Sequence, residues 1–128
     1  MHSTPANYTP IVTCPRDIDK FTVTTATTGN KALTYPVGLI TADEAVMAGA
    51  KWNTSNSSYY LYTGQNWWAG SPFYFNGNDA YEFRVDSSGR LLSSGVNGTS
   101  GVRPVVSLTS GYKIVSGDGT VNNPYVVA

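Results

Sequence analysis

The chain has little charge: Asp, Glu, Lys and Arg make up 12% of its 128 residues, eight basic against eight acidic, where a globular domain usually carries about 25%. Lys20, Lys31, Lys51, Arg84, Arg90 and Arg103 are scattered along the sequence. Neutralising a phosphate backbone or an anionic membrane needs such residues clustered, so nucleic acid and membrane surfaces are excluded as partners. Cys14 is the only cysteine and His2 the only histidine. No internal disulfide and no multi-cysteine metal site can form, and a nucleophilic triad would have to recruit a histidine from the extreme N-terminus. No apolar run approaches the roughly 20 residues that span a bilayer. MHSTPANYTP lacks the charged and apolar regions of a signal peptide, so an exported parent protein is expected to carry its signal outside this segment.

The missing charge is replaced by Thr, Ser, Asn, Gly and aromatic residues. The length fits one domain able to bury about two thirds of its unfolded surface without a metal or disulfide. Pro5, Pro10 and Pro15 predict an extended arm over residues 1–20, with the folded domain at 21–128. FTVTTATT, from Phe21, alternates and is β-branched, which reads as a strand. Thr41 followed three positions later by Glu44 forms a capping box, Asp43 adds favourable charge to the first turn, and Gly49 supplies a stop. The one helix expected therefore spans residues 42–48.

Beyond Lys51 a period of two, broken by turn residues, predicts short antiparallel strands and an α+β fold dominated by sheet. YYLYT reads as the first strand. In AYEFRVDSSGRLL, Tyr81, Phe83 and Val85 share one face, Glu82 and Arg84 the other, and DSSG turns the chain into Arg90, Leu91 and Leu92. VRPVVSL, the most apolar run, is expected to be central apart from the interruption at Pro104. Asp118 and Gly119 make a tight turn near the C-terminus.

Residues 59–83, YYLYTGQNWWAGSPFYFNGNDAYEF, concentrate Tyr, Trp and Phe among Gly, Asn and Ser. Rigid aromatic area combined with adaptable polar groups is the make-up of a binding surface. Alternation divides the stretch: Tyr60, Tyr62, Phe83 and Val85 fit inward positions, and Trp67 and Trp68 must point in opposite directions. Asp43 with Glu44 is explained by capping, and Asp79 with Glu82 or Asp86 by solvation, so neither carboxylate pair reads as catalytic. The turns NGND and SGDGTVNN offer oxygen ligands without the acidic spacing of a calcium loop. No catalytic residue, cofactor or metal is expected.

Taken in order, YPVGLITADEAVMAGA, the aromatic stretch with Trp68, Ser71 and Pro72 as W-x-x-SP, the SSGRL hairpin, GVRPVVSL and SGDGTVNNPYVV resemble a C-type-lectin-like module. The type is that of sulfatase-modifying-factor-like domains and of the variable proteins of diversity-generating retroelements, borne on surface proteins of gut Firmicutes and their phages. The resemblance implies a small twisted antiparallel sheet that displays the chain between the W-x-x-SP strand and the VRP strand. It places Phe73, Tyr74, Asn76, Asn78, Asp79, Tyr81, Glu82 and Arg84 on or near the ligand side, to which Trp67 is also assigned. Trp68, Thr41, Glu44 and Arg103 go to the frame, with the Arg103 guanidinium satisfying buried carbonyls.

The implied function is noncovalent binding, at a cell surface or phage particle, of a protein or glycan on another cell. A structural tip or stalk module of a surface fibre and a sulfatase-modifying-factor-like enzyme are the alternatives. Three departures from the pattern stand out. A first N-terminal helix is missing, so the chain reads as a fragment in which Cys14 could pair with an absent segment or another subunit. The EPN and WND sugar motifs are absent, with Trp52, Asn53 and Thr54 a near miss. A lone Cys14 cannot supply the cysteine pair that formylglycine chemistry needs. The sequons at Asn7, Asn53, Asn56 and Asn97 matter only in a eukaryotic secretory pathway.

Overall fold

The computed structural model describes residues 9–11, 13, 16–17, 20, 22, 28–29, 31–108, 110–120 and 122–128. His2, Asn7, Cys14 and most of the expected strand from Phe21 lie outside the described residues. The elements, in chain order, are β1 (Val37–Leu39), α1 (Ala42–Met47), β2 (Lys51–Trp52), β3 (Trp67–Phe75), β4 (Ala80–Val85), β5 (Arg90–Gly95), β6 (Pro104–Val106), β7 (Ile114–Ser116) and β8 (Val126–Val127). The architecture of the described residues is α+β, mostly sheet with one short helix. Among the described residues, no helix is long and apolar enough to cross a membrane.

The helix forms where its caps dictate. The Glu44 amide donates to Thr41 Oγ1 at 3.1 Å, and the Thr41 amide donates back to Glu44 Oε2 at 2.8 Å, which is the reciprocal capping box. Ala48 closes the helix as its C-cap, and Gly49 follows at φ +116°, a conformation that a side chain would strain. Ala42 and Ala45, one turn apart, are fully buried. Their small side chains let the helix sit close against β3 and β5.

The central sheet has the order β2-β5-β4-β3, with β3, β4 and β5 antiparallel neighbours and β2 parallel to β5. Asp86 makes the β4–β5 turn. Its Oδ1 accepts from the amides of Ser88 and Arg90 at 2.9 and 3.0 Å, and its Oδ2 accepts from Arg90 Nε at 2.8 Å. Gly89, at φ +76°, completes the turn, and a Cβ there would stand 2.1 Å from the Asn56 carbonyl oxygen. The core on the inner face of the sheet comprises Tyr59, Trp67, Ala69, Phe83, Val85 and Leu91 with the alanines of the helix and Ala50.

Asp86 also makes stability depend on pH. Burial raises its pKa, but hydrogen bonds from the Arg90 backbone and side chain and the Ser88 backbone, together with the Arg90 charge, outweigh burial and hold it below the usual value. A carboxyl depressed in the folded state stabilises above its unfolded pKa, and that contribution is lost as pH falls through the folded value. Asp86→Asn is expected to lose about 1–2 kcal/mol near neutral pH. It should also flatten the fall in stability below about pH 4, which urea unfolding at several pH values will measure.

Two strand expectations are corrected. YYLYT is a turn, closed by the Tyr62 amide donating to the Tyr59 carbonyl at 3.0 Å. Tyr59 is therefore the buried ring, Tyr60 is 71% exposed, and Tyr62 is half-buried with its hydroxyl donating to the Ser87 carbonyl. VRPVVSL is not central: among the described elements β6 pairs with β1 alone, in a two-stranded antiparallel sheet, and all three of its residues are exposed. Pro104 begins the strand, where a missing donor is tolerated. Composition marked the run as apolar, but among the described elements no second sheet lies over it.

Candidate functional site

The longest pair of strands in the sheet is the β3–β4 hairpin, and its base is clamped from several directions. The Gly70 amide donates to the Ile40 carbonyl at 2.8 Å, and the Ala42 amide donates to Ser71 Oγ at 2.9 Å. A Cβ at Gly70 would lie 3.1 Å from the Leu39 oxygen, so the strand passes the entry to the helix at a distance only glycine fits easily. The Trp68 amide donates to the Gly101 carbonyl, the Gly101 amide to the Asn66 carbonyl, and Asn66 Oδ1 accepts from the Ser87 amide. Arg103 Nη1 donates to the Leu61 carbonyl at 2.6 Å, and the guanidinium carbon sits 5.0 Å from the centroid of Trp67.

Above the base, β3 carries two register shifts against β4, between Trp68 and Pro72 and between Pro72 and Tyr74. Each shift adds residues to β3 that have no partner and turns the following side chains away from simple alternation. Phe73, six residues beyond Trp67, keeps to the core side. It stacks on Trp52 at 5.4 Å and meets Phe83 edge-on at 5.0 Å, while Trp52 and Phe83 are 5.9 Å apart. The three rings form a wall under the distal half of the hairpin.

The tip is a preformed turn. Asn76 Oδ1 accepts from the amides of Asn78 and Asp79 at 2.9 and 2.7 Å, and the Asn76 amide donates to the Asp79 carbonyl at 3.1 Å. Gly77, at φ +100°, has no atom near the position a Cβ would occupy, so the turn is held from below and open above. Tyr74 and Tyr81 face each other across the strands with ring centroids 6.1 Å apart and a tilt of 36°. Tyr74 is 45% exposed and Phe75 63%.

The residues expected on the ligand side therefore divide into three groups. Tyr74, Asn76, Asn78, Asp79 and Tyr81 come together at the tip. Glu82 and Arg84 lie on the sheet face opposite Tyr81 and Phe83, half-buried, and form no ion pair with each other. Burial pushes the Glu82 carboxyl above its usual pKa, and Arg84 Nε is enclosed without a hydrogen-bond partner. Trp67 and Phe73 leave the ligand side altogether. Trp67 is 1% exposed and is the largest fully buried side chain, whereas its neighbour Trp68 is half-buried.

The correction at the tryptophans follows from register. Trp67 is opposite Val85 and Trp68 opposite Arg84, so Trp67 shares the core face with Val85. Phe75 was not singled out by sequence reasoning, and Trp52 entered it only as part of a near-miss sugar motif. Alternation with Phe73 gives no hint that Phe75 is exposed, because the shifts fall between Trp68 and Tyr74, and Trp52 lies in a strand of only two residues.

Chemically, the tip offers rings, amides and a carboxylate, all suited to recognition and none arranged as a base against a nucleophile. Tyr59, the most perturbed hydroxyl, is pushed up to about 12 by burial, with Arg103 opposing and Asp86 reinforcing the shift. Its proton is thus retained at any physiological pH. Among the described residues, no three His, Cys, Asp or Glu side chains gather. No family model, no curated protein and no solved structure matches the chain.

Proposed function

We propose that the chain is a noncatalytic binding module of C-type-lectin-like architecture that presents the β3–β4 tip to a protein or glycan on another cell surface. It would act as part of an exported surface or phage protein, diversified by a retroelement. The observation that supports this reading is the contrast within one hairpin: a base clamped by the helix, Gly101 and Arg103, and a tip at which Tyr74 and Phe75 are exposed and Tyr81 is half-buried. Rigid support lowers the ordering cost on binding, and Tyr rings supply contact area with few rotatable bonds. Asn76 Nδ2 donates to Asp79 Oδ2 within the turn, which leaves the second Nδ2 hydrogen and Asp79 Oδ1 to orient a ligand.

Simultaneous Tyr74→Ala and Tyr81→Ala substitution is expected to weaken capture on a panel of immobilised glycans and intact bacterial cells by about 100-fold, as for loss of a central pair of aromatic contacts. The same variant should unfold within about 1 kcal/mol of wild type in urea, because both rings lie at the open end of the sheet. Loss of folding with capture retained by the surviving folded fraction would instead assign the rings to the frame.

A further inference from the structure

Asn76-Gly77, Asn97-Gly98 and Asp118-Gly119 each place a glycine directly after a residue with a short side-chain carbonyl. In such a pair the glycine nitrogen can attack that carbonyl carbon and close a five-membered imide, because no Cβ crowds the attacking atom. The structure separates the three sites. The Gly98 amide donates to the Gly95 carbonyl at 3.0 Å, and the Gly119 amide donates to the Asn123 carbonyl at 3.1 Å. Each of these nitrogens must give up its hydrogen bond before it can attack. Among the described residues the Gly77 amide has no acceptor, and it lies beyond the ladder, since β3 ends at Phe75 and β4 begins at Ala80.

The electrophile is prepared at the same place. Attack drives negative charge onto Asn76 Oδ1, and that oxygen already accepts from the amides of Asn78 and Asp79 at 2.9 and 2.7 Å, a pair of fixed donors placed as in an oxyanion hole. Among the described residues no amide donates to Asn97 Oδ1 in this way. Asn76, Gly77, Asn78 and Asp79 are all exposed, and no atom lies within 4 Å of the position a Gly77 Cβ would take. Rotation of the Asn76 main chain toward its own side chain is therefore unobstructed, and water reaches the product.

We infer that Asn76 is a self-modification site, at which the Gly77 nitrogen displaces the side-chain amide and water opens the resulting imide. The bond from the Gly77 nitrogen to Asn76 Cγ forms as the bond from Cγ to Nδ2 breaks, and Nδ2 departs as ammonia with the proton that the Gly77 nitrogen gives up. Water then adds to either imide carbonyl, giving aspartate or isoaspartate with no change of oxidation state. The isoaspartyl form lengthens the main chain of the turn by a carbon atom. Both forms add a negative charge to the end of the hairpin that carries Tyr74 and Tyr81. The reaction needs no ligand and stands apart from what the tip binds.

The full chain, kept folded at mildly alkaline pH and then digested and mapped by mass spectrometry, is expected to lose Asn76 more than about 10-fold faster than Asn97. Isoaspartate should accumulate beside aspartate at position 76, which direct hydrolysis of the side-chain amide cannot produce. In guanidinium chloride neither turn persists, and the two sites should react within about 3-fold of each other, with Asn97 faster and Asn76 no faster than in the folded chain. Matching rates at the two sites in the folded chain overturn the inference. So does an Asn76 that reacts faster unfolded than folded, or one that yields aspartate without isoaspartate.

Discussion

Trp67→Ala is expected to destabilise the protein by about 3–5 kcal/mol, a large share of the total stability of a domain this size. The ring is the largest fully buried side chain, it packs among Ala69, Phe83, Val85 and Leu91, and it carries the Arg103 guanidinium on its face. Removing it leaves a cavity at the base of the hairpin that the clamped backbone cannot collapse to fill. Urea unfolding should show the midpoint falling steeply, with capture of ligand lost only in proportion to the unfolded fraction. Trp67→Phe provides the control: it keeps an aromatic face beneath Arg103 and removes an indole N–H that is buried without a partner. Its cost should stay below about 2 kcal/mol. A Trp67→Ala protein as stable as wild type, but unable to capture ligand, would return the residue to the ligand side.

Arg103→Ala is expected to cost about 3 kcal/mol. A charged donor to a part-buried carbonyl contributes about 1.5–3 kcal/mol, and a cation over an indole about 0.5–2 kcal/mol. The two losses overlap, because the guanidinium that reaches Leu61 is the same one that covers Trp67. The Leu61 carbonyl is also left without its donor. Arg103→Lys should recover only part of this stability, since a point ammonium cannot lie flat on the ring while reaching the carbonyl. Chemical unfolding followed by tryptophan fluorescence will rank the three proteins, and equal stability of the arginine and alanine forms would remove Arg103 from the frame.

Local chemistry was legible wherever a single short motif determines the backbone. Thr41 and Glu44 fixed the start of the helix, Gly49 its end, and Asp86 to Gly89 the β4–β5 turn, because each depends on hydrogen bonds within four residues. Faces and covers were not legible. Alternation states that Trp67 and Trp68 oppose each other, but which of them is inside depends on register against Val85, a partner far along the chain. Phe73 was placed outward by the resemblance, whereas in the structure it stacks on Trp52 and meets Phe83 edge-on. The apolar VRPVVSL run illustrates a third limit. Hydrophobicity says that a strand gains from burial, but whether another element comes to lie over it is a property of topology. The resemblance put Tyr74, Asn76, Asn78, Asp79 and Tyr81 on one side, and the structure gathers these five at the end of the β3–β4 hairpin, where the Asn76 side chain holds the turn.

The pairing of β1 with β6 sets the order in which the molecule assembles. Strands β3, β4 and β5 follow one another through tight turns, and such local hairpins form on a scale of about microseconds. Leu39 and Pro104 become partners only after the whole intervening chain has been gathered, which makes their pairing the costly, late contact in folding. The tip belongs to the early unit, while the late contact is made by backbone on the far side of the sheet's own meander. Changes of side chain at Tyr74, Asn76, Asn78 or Asp79 are therefore expected to leave the refolding rate close to that of wild type, whereas changes at Leu39 or Val105 should slow it, which stopped-flow refolding will measure.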